Sequence, residues 1–298
     1  MAGDALTPVI HPSGFRLTSG PGPTAIWIES DRVDDCISFY QREGLSRIAL
    51  SRFMGFYGAD LDFLKDYPDV RGVWLSDLDK VDISGLYFLK ESMESLRLGD
   101  NLQPLDLSRF RNLEEFRGRW HPNLLITEEC RRLQVLAIDK YRPRSKDLSG
   151  LAELPGLVDL SLVQSPLISI KGVGRFPRLK RLELSYLTKL ESVAAVGELK
   201  NGQLEILDCD VCRKMRDHET VKEVSSLRVV KFNDCGEMPS IDFLENMPHL
   251  KEFRFVGTNI ADGNLNPLLR LDSVGFFKKK HYSHTPEEVD AIISQREA

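Results

Sequence analysis

Two short motifs hold the side chains best suited to chemistry. Cys209-Asp210-Val211-Cys212 is a CxxC, a spacing found in redox pairs and in half of many zinc sites. His281-Tyr282-Ser283-His284 could place two imidazoles near one metal ion. No second CxxC and no carboxylate pair accompanies the histidines, which follow the basic run 278–280. A local turn or cap contact is the favoured interpretation of the histidine motif.

Two glycine-rich stretches invite comparison with phosphate-binding loops. Neither Gly172-Val173-Gly174 nor Gly20-Pro21-Gly22-Pro23 has the spacing GxxxxGK[ST] or GxGxxG. The sequence also lacks the GxSxG, HExxH and protein-kinase signatures. We therefore expect a protein that is not an enzyme, with no catalytic residues, no metal and no cofactor.

Composition narrows the class of protein further. The 298 residues include 40 basic and 45 acidic side chains, a balance that does not favour nucleic acid or anionic lipid. No run approaches the ~18 apolar residues of a membrane helix. The N-terminus does not resemble a secretory signal, and five irregularly spaced cysteines fit a reducing compartment. We expect a cytoplasmic monomer that does not contact a membrane.

The elements that must position these residues follow from a repeat. Leucine accounts for 42 of the 298 residues, and much of it recurs in the pattern L-x-x-L-x-L. With other apolar residues allowed, the pattern begins at residues 45, 70, 93, 113, 133, 157, 179, 204, 227, 250 and 271. The steps are 20 to 25 residues long. Eleven matches at one narrow period indicate a repeat architecture rather than two globular domains.

This pattern resembles the leucine-rich repeat superfamily, whose unit is L-x-x-L-x-L-x-x-N/C-x-L. The resemblance implies an α/β fold, a leucine-rich repeat solenoid with a curved parallel sheet on its concave face. Short helices or 3-10 turns would line the convex face. Template positions 1, 4 and 6 then point inward, and one repeat cannot bury them alone.

The ninth template position is usually Asn or Cys, and here only Asn101 is Asn. We therefore expect irregular turns without the usual hydrogen-bonded ladder. The same grid places Cys209 at an inward position and both Cys212 and Cys235 at ninth positions. A structural role is the favoured interpretation of the CxxC.

Three segments make up the predicted organisation. Residues 1–44 form an N-terminal lead-in and cap, loose over 1–23, with a strand at 24–29 and a helix at 31–44. Residues 45–277 form the array of about 11 repeats. Residues 278–298 form a C-terminal cap, whose helix begins after Thr285 with Pro286 first and Glu288 completing a capping box.

Function in this architecture usually lies on the concave face, which carries template positions 3, 5 and 7. Two patches of partner-binding candidates emerge there. The first is aromatic and basic and contains Trp74, Arg97, Arg117 and Arg119, with Trp120 at its rim. The second is acidic and contains Asp139, Asp159, Glu183, Asp208 and Asp210. Since an exposed indole on a strand face would have no folding role, Trp74 favours binding over a merely solvated surface.

The resemblance implies a non-enzymatic solenoid that binds a protein partner on its concave face. An inhibitor or immunity-type protein is a narrower version of this hypothesis. Two alternatives stay open: a nucleic-acid or phospho-ligand binder that uses the arginine cluster, and a purely structural scaffold. The acidic patch would repel a long polyanion, so nucleic acid is the less favoured partner.

Overall fold

The computed structural model describes residues 8–19 and 24–297, which fall into two compact units divided between Val135 and Leu136. Most of each repeat consists of one short strand and a return through a turn or a 3-10 helix. The glycine-proline run 20–23 lies outside the described residues.

The first unit contains nine strands and one α-helix among its described residues. The strands are β1 (Val9–Ile10), β2 (Arg16–Leu17), β3 (Ala25–Trp27), β4 (Arg47–Leu50), β5 (Gly72–Leu75), β6 (Ser95–Leu98), β7 (Leu105–Asp106), β8 (Glu115–Arg119) and β9 (Leu124–Leu125). Helix α1 (Val33–Arg42) connects β3 to β4. Strands β3, β4, β5, β6 and β8 pair in parallel in that order, and β7 pairs with β9 in a separate two-stranded sheet.

The second unit begins within β10 and repeats more evenly. Its strands are β10 (Val135–Asp139), β11 (Asp159–Val163), β12 (Arg181–Ser185), β13 (Ile206–Asp210), β14 (Val229–Asn233), β15 (Glu252–Arg254) and β16 (Ser273–Gly275). Strands β11 to β16 pair in parallel with their sequence neighbours. Helix α2 (Pro286–Glu297) ends the described chain. The predicted α/β leucine-rich repeat architecture is confirmed by these strands and by the 3-10 turns between them.

The core forms from the inward template positions. In β12, β13 and β14 buried and half-buried residues alternate strictly, as the two-residue period of a strand requires. Leu96, Leu160, Leu182 and Leu207 occupy the fourth template position and are fully buried. Burial of each such side chain stabilises the fold by ~1.5–3 kcal/mol, provided that neighbouring repeats cover it.

The turns after the strands are more regular than the sequence predicted. The eighth template position has a left-handed backbone in six consecutive repeats of the second unit: Lys140, Gln164, Tyr186, Val211, Asp234 and Gly257. In five of these turns the residue's N–H donates to a carbonyl of the following repeat, as Val211 does to Asn233 O at 2.9 Å. The prediction of irregular turns is therefore wrong for this unit, because backbone pairing between repeats defines the turn.

Short polar side chains replace asparagine at the ninth position. Thr258 Oγ1 donates to Phe232 O at 2.5 Å and accepts the Cys235 N–H at 2.8 Å. Ser165 accepts the Tyr141 N–H at 3.0 Å, and Cys212 Sγ donates to Leu184 O at 3.4 Å. A hydrogen-bonded ladder thus exists, built from Ser, Cys and Thr. An unpaired buried polar group costs ~1–3 kcal/mol, so the ninth position favours residues that can form these hydrogen bonds.

The two ends of the described chain are capped by different elements. Where a loose lead-in was expected, β1 and β2 form an antiparallel hairpin, and β2 pairs with β3; residues 1–7 lie outside the described residues. At the other end, Thr285 and Glu288 form the capping box, with N···O distances of 2.8 and 3.3 Å. Arg296 of α2 donates to Leu271 O at 2.9 Å and so fixes the helix against the last repeat.

Candidate functional site

The open strand face is defined here as the side of each sheet that carries template positions 3, 5 and 7. It lies opposite the buried leucines, because adjacent residues of a strand point to opposite sides. The aromatic–basic patch (Trp74, Arg97, Arg117, Arg119 and Trp120) belongs to the first unit. The acidic patch (Asp139, Asp159, Glu183, Asp208 and Asp210) belongs to the second unit.

Strand register brings three members of the aromatic–basic patch, Trp74, Arg97 and Arg117, into one row. Trp74 pairs with Arg97 across β5 and β6, and Arg97 pairs with Arg117 across β6 and β8. The row continues in the other direction to Ala49 and Trp27. Five strands therefore present one residue each at the same height, with tryptophan at two positions and arginine at two.

Trp74 has a folding role, contrary to the expectation from sequence. Its ring centroid lies 5.5 Å from that of Trp27, and it packs against a cluster formed by Ala25, Trp27 and Ala49. This contact leaves Trp74 half-buried. The assumption that an outward indole is unsupported fails because Trp27 and Ala49 are themselves buried on the same face. The alternating pattern of the predicted strand 24–29 could have indicated this contact, since it places Trp27 on the same outward face as Trp74.

The arginines of the patch differ in their partners. The Arg97 guanidinium lies 4.4 Å from the centroid of the Trp74 ring, a cation–π contact, and its side chain is exposed. Arg117 Nε donates to Glu115 Oε1 at 2.6 Å, and Arg119 Nη1 donates to Asp100 Oδ1 at 2.9 Å.

Glu115 is the carboxylate at the centre of this patch. It also accepts a hydrogen bond from Arg47, which projects onto the same face from β4. Burial alone would raise the pKa of Glu115, but the hydrogen bond from Arg117 and the charges of Arg47 and Arg117 outweigh it and lower the pKa. Glu115 therefore stays ionised and orients two arginines, a role that its own outward position did not reveal.

Sequence reasoning missed two exposed aromatic residues beside the patch. The 3-10 turn Arg52–Met54 follows β4, and Met54 packs against the Trp27 and Trp74 cluster. Its neighbour Phe53 is 81% exposed, and Tyr57 is 70% exposed. The template places Phe53 at its ninth position, but it does not show whether that side chain is buried or exposed. Trp120 follows β8 directly and is half-buried.

The acidic patch is interleaved with basic side chains. Arg181 lies 3.9 Å from Asp159 and 3.3 Å from Glu183, and Lys231 lies 3.4 Å from Asp208. The predicted patch omitted these two cations, although they occupy outward positions of neighbouring strands. The open strand face of the second unit is therefore a set of alternating charges rather than a continuous acidic surface.

The other two members of the acidic patch lie at the ends of their strands. Asp210 ends β13, and burial together with the charges of Asp208 and Asp234 raises its pKa. Asp139 ends β10 and is exposed. The strand register places Asp210 beside Ser185 and Asn233, while Glu183 lies beside Asp208.

The CxxC forms part of the core and of the ladder. Cys209 and Cys212 are fully buried, and all five cysteines are free thiols. Cys235 Sγ lies 3.5 Å from Cys209 O, so three thiols of neighbouring repeats are packed together. Contact with the Cys212 sulfur and burial raise the pKa of Cys209 and of Cys235, which keeps both thiols protonated.

The histidine and glycine motifs are also satisfied locally. His281 Nε2 lies 2.9 Å from Ile260 O, and His284 Nδ1 lies 2.9 Å from Ser283 Oγ. The Gly174 N–H donates to the Glu198 carboxylate at 2.9 Å, and the Gly172 N–H donates to the same group at 3.4 Å. A carboxylate of the next repeat thus occupies the one glycine motif that the structure describes.

Two buried histidines have no such partners. His121 and His218 are buried, and neither ring nitrogen of either residue has a hydrogen-bond partner among the described residues. Burial lowers the pKa of His121, and it lowers the pKa of His218 to about 4. His218 packs edge-on against Phe232, with 5.0 Å between ring centroids. Both imidazoles are therefore neutral parts of the core at pH 7.

Within the described ranges, no group of three or more His, Cys, Asp or Glu side chains has an arrangement that could hold a metal ion. None of the described helices combines the length and the apolar character needed to span a membrane.

Comparison with known proteins finds no matching family model and no matching curated protein. The functional domain of InlJ from Listeria monocytogenes, a solved structure described as including a cysteine ladder, is 14% identical with a TM-score of 0.49. The match covers 82% of this chain and 49% of that one, so this chain spans about half the length of that domain. A leucine-rich repeat protein from Leptospira interrogans is 16% identical with a TM-score of 0.37, and 77% of each chain is covered. At these TM-scores the fold assignment rests on the repeat geometry itself.

Proposed function

We propose that this chain, a leucine-rich repeat solenoid, is a non-enzymatic protein that binds a protein partner on its open strand face. The contact between Arg97 and Trp74 carries the proposal, since it combines an exposed guanidinium with a supported indole on that face. Tryptophan, tyrosine and arginine are the residue types that dominate binding hot spots. Trp74 is fixed by Trp27, so little side-chain entropy is lost when a partner covers it.

The charges on the face support specificity more than affinity. The aromatic–basic patch and the alternating charges of the second unit would each reject partners of the wrong charge pattern. Intramolecular ion pairs hold five of the predicted face residues: Arg117, Arg119, Asp159, Glu183 and Asp208. A binding partner must therefore replace or share these contacts, which favours a partner of matching charge arrangement.

Partner capture with charge-reversed variants tests the proposal. The full-length chain, tagged and immobilised, captures proteins from a native lysate, and mass spectrometry identifies them. The variant Arg97→Glu, Arg117→Glu and Arg119→Glu should lose the captured protein. The control variant Arg111→Glu, Arg131→Glu and Arg132→Glu has the same change of net charge at exposed residues paired with Glu91, Glu129 and Glu114, and it should retain the protein.

Thermal unfolding of both triple variants separates binding from folding. The proposal requires that both variants remain folded at the temperature of the capture assay and that only the face variant loses capture. Equal capture by wild type and the face variant would refute it. If nucleic acid rather than protein is recovered, and recovery falls steeply with salt, the polyanion alternative replaces the proposal.

An inhibitor or immunity-type role is the narrower form of this proposal. It requires the complex to cover the working surface of the partner, so that binding abolishes an activity of that partner. The test is an activity assay on the captured protein at increasing ratios of this chain. Retention of full activity at saturation would leave a binding scaffold that does not inhibit.

A further inference from the structure

The first unit presents more positive than negative charge on its open strand face. Arg47, Arg97, Arg117 and Arg119 project there from β4, β6 and β8, and the carboxylate among them is that of Glu115. Asp100, which pairs with Arg119, lies in the turn after β6. The second unit differs, since basic and acidic residues alternate along its strands. The excess of guanidinium groups therefore belongs to the aromatic–basic patch together with the adjacent Arg47.

These guanidinium groups are held in defined positions. Glu115 accepts hydrogen bonds from both Arg47 and Arg117, while the Trp74 ring supports Arg97 from 4.4 Å. Arginine binds carboxylates through two parallel N–H···O bonds, and a guanidinium that is already oriented loses less entropy on binding. Arg97 and Arg117 lie on adjacent strands ~4.8 Å apart, and Arg47 lies two strands from Arg97, so this face offers several oriented carboxylate-binding groups.

Apolar surface adjoins the same row. Trp74 is half-buried, Met54 packs against the same Trp27 cluster, and the preceding residue in the chain, Phe53, is 81% exposed. Contiguous exposed apolar surface with a charged rim is the kind of surface that marks interaction sites. A ligand that satisfies both features must carry negative charge and a large apolar group.

We infer that the aromatic–basic patch recognises a segment of a protein partner in which carboxylates flank a large apolar side chain. The carboxylates bind Arg97, Arg117 and Arg119, and the apolar side chain covers Trp74. This inference rests on the proposed function and names the chemistry of the partner at the open strand face of the first unit.

Selection from random peptides tests the inference without knowledge of the natural partner. Phage-displayed peptides of about 12 residues are selected on the full-length chain, and the enriched sequences are synthesised with a fluorescent label. Binding is measured by fluorescence anisotropy at about 150 mM salt, where exposed charges farther apart than ~8 Å are screened. We expect enrichment of Asp and Glu around Phe, Trp, Leu or Tyr.

Variants show where the selected peptides bind. The triple reversal of Arg97, Arg117 and Arg119 should weaken binding at least 100-fold, and Trp74→Ala at least tenfold. Arg97→Lys retains the charge but loses the planar group, and it should weaken binding about tenfold. The reversal of Arg111, Arg131 and Arg132 should change binding less than twofold. Arg97→Gln and Arg119→Gln replace the triple variant if that variant does not fold.

Three results of the peptide selection would overturn the inference: enrichment of basic peptides, equal binding of acidic peptides to the face variants, or no enrichment at all. Tighter binding of polyuridylate than of the selected peptides would overturn it in favour of a nucleic acid. Any of these can occur while protein capture still depends on the arginines, in which case the proposed function stands. Loss of that dependence refutes the proposed function itself.

Discussion

Each unit contains an aromatic cluster, and the two clusters lie on different faces of their own strands. In the second unit Phe253 contacts Phe232, Phe243 and Phe255 in the core, with ring centroids 5.6–6.3 Å apart. In the first unit Trp27 and Trp74 contact each other on the open strand face, 5.5 Å apart. The inward cluster stabilises the stack of repeats, whereas the outward cluster supports a surface. Contacts between aromatic rings therefore stabilise the fold in the second unit and, on our proposal, support recognition in the first.

The largest expected effect compares the two clusters directly. Phe253→Ala leaves a cavity in a fully buried site, and we expect the free energy of unfolding to fall by ~3–5 kcal/mol. Trp74→Ala removes a half-buried ring and should cost less than about 2 kcal/mol. Urea unfolding followed by circular dichroism measures both. An equal loss for the two variants would contradict the division of roles.

The second effect concerns His218, a neutral imidazole in the aromatic core of the second unit. Burial lowers its pKa to about 4 from an ordinary 6.5, against the opposing charges of Asp217 and Glu219. The unfolded chain therefore binds more protons between these values, so stability falls as pH decreases from about 6.5 to 4. The loss should reach ~3 kcal/mol.

His218→Leu should remove that part of the pH dependence, which unfolding at pH 7, 5.5 and 4.5 would show. His249→Leu, a change at an exposed histidine, is the control and should leave the slope as in the wild type. If the free energy of unfolding of His218→Leu depends on pH as steeply as that of the wild type, other groups cause the acid sensitivity.

The third effect tests the ladder of the second unit. Thr258→Val keeps the shape of the side chain but leaves Phe232 O and the Cys235 N–H without their partner. We expect a loss of ~1–3 kcal/mol in the free energy of unfolding. Thr258→Ser keeps the hydroxyl and should cost less than half as much. If both variants behave alike, the lost methyl group and not the hydrogen bonds determines the effect.

The smallest effect lies in the contact proposed for recognition. Arg97→Ala removes a cation–π contact at an exposed site and should change stability by only ~0.5–1 kcal/mol. Binding of a selected peptide should fall far more than this stability change implies. A stability loss above 2 kcal/mol would show that Arg97 maintains the fold of the first unit.

Much of the fold could be predicted from sequence because the leucine pattern is periodic. The period identifies strands, the inward positions and the roles of Cys209 and Cys212 without any reference to neighbours. The regular turns escaped prediction because they depend on backbone bonds between repeats, such as that from Val211 to Asn233. No single residue type encodes such a bond.

The candidate site was harder to predict, since outward positions follow no hydrophobic period. The position of each predicted residue on the open strand face followed from the template, but its partners did not. The predicted patches omitted Arg181, Lys231 and Glu115, because pairing across strands depends on register and rotamer. The burial of Trp74 depends on Trp27, which lies two strands away and outside the template.

In five left-handed turns of the second unit, the backbone hydrogen bond of the left-handed residue runs in the same direction along the chain. The N–H groups of Lys140, Gln164, Tyr186, Val211 and Asp234 each donate to the repeat that follows, at distances of 2.7 to 2.9 Å. Each turn is therefore completed only when the next repeat is present. The repeats therefore depend on one another in one direction. During synthesis, the hydrogen bond of a turn can form only after the following repeat has been made. Truncation from the C-terminal end would open the turns one after another.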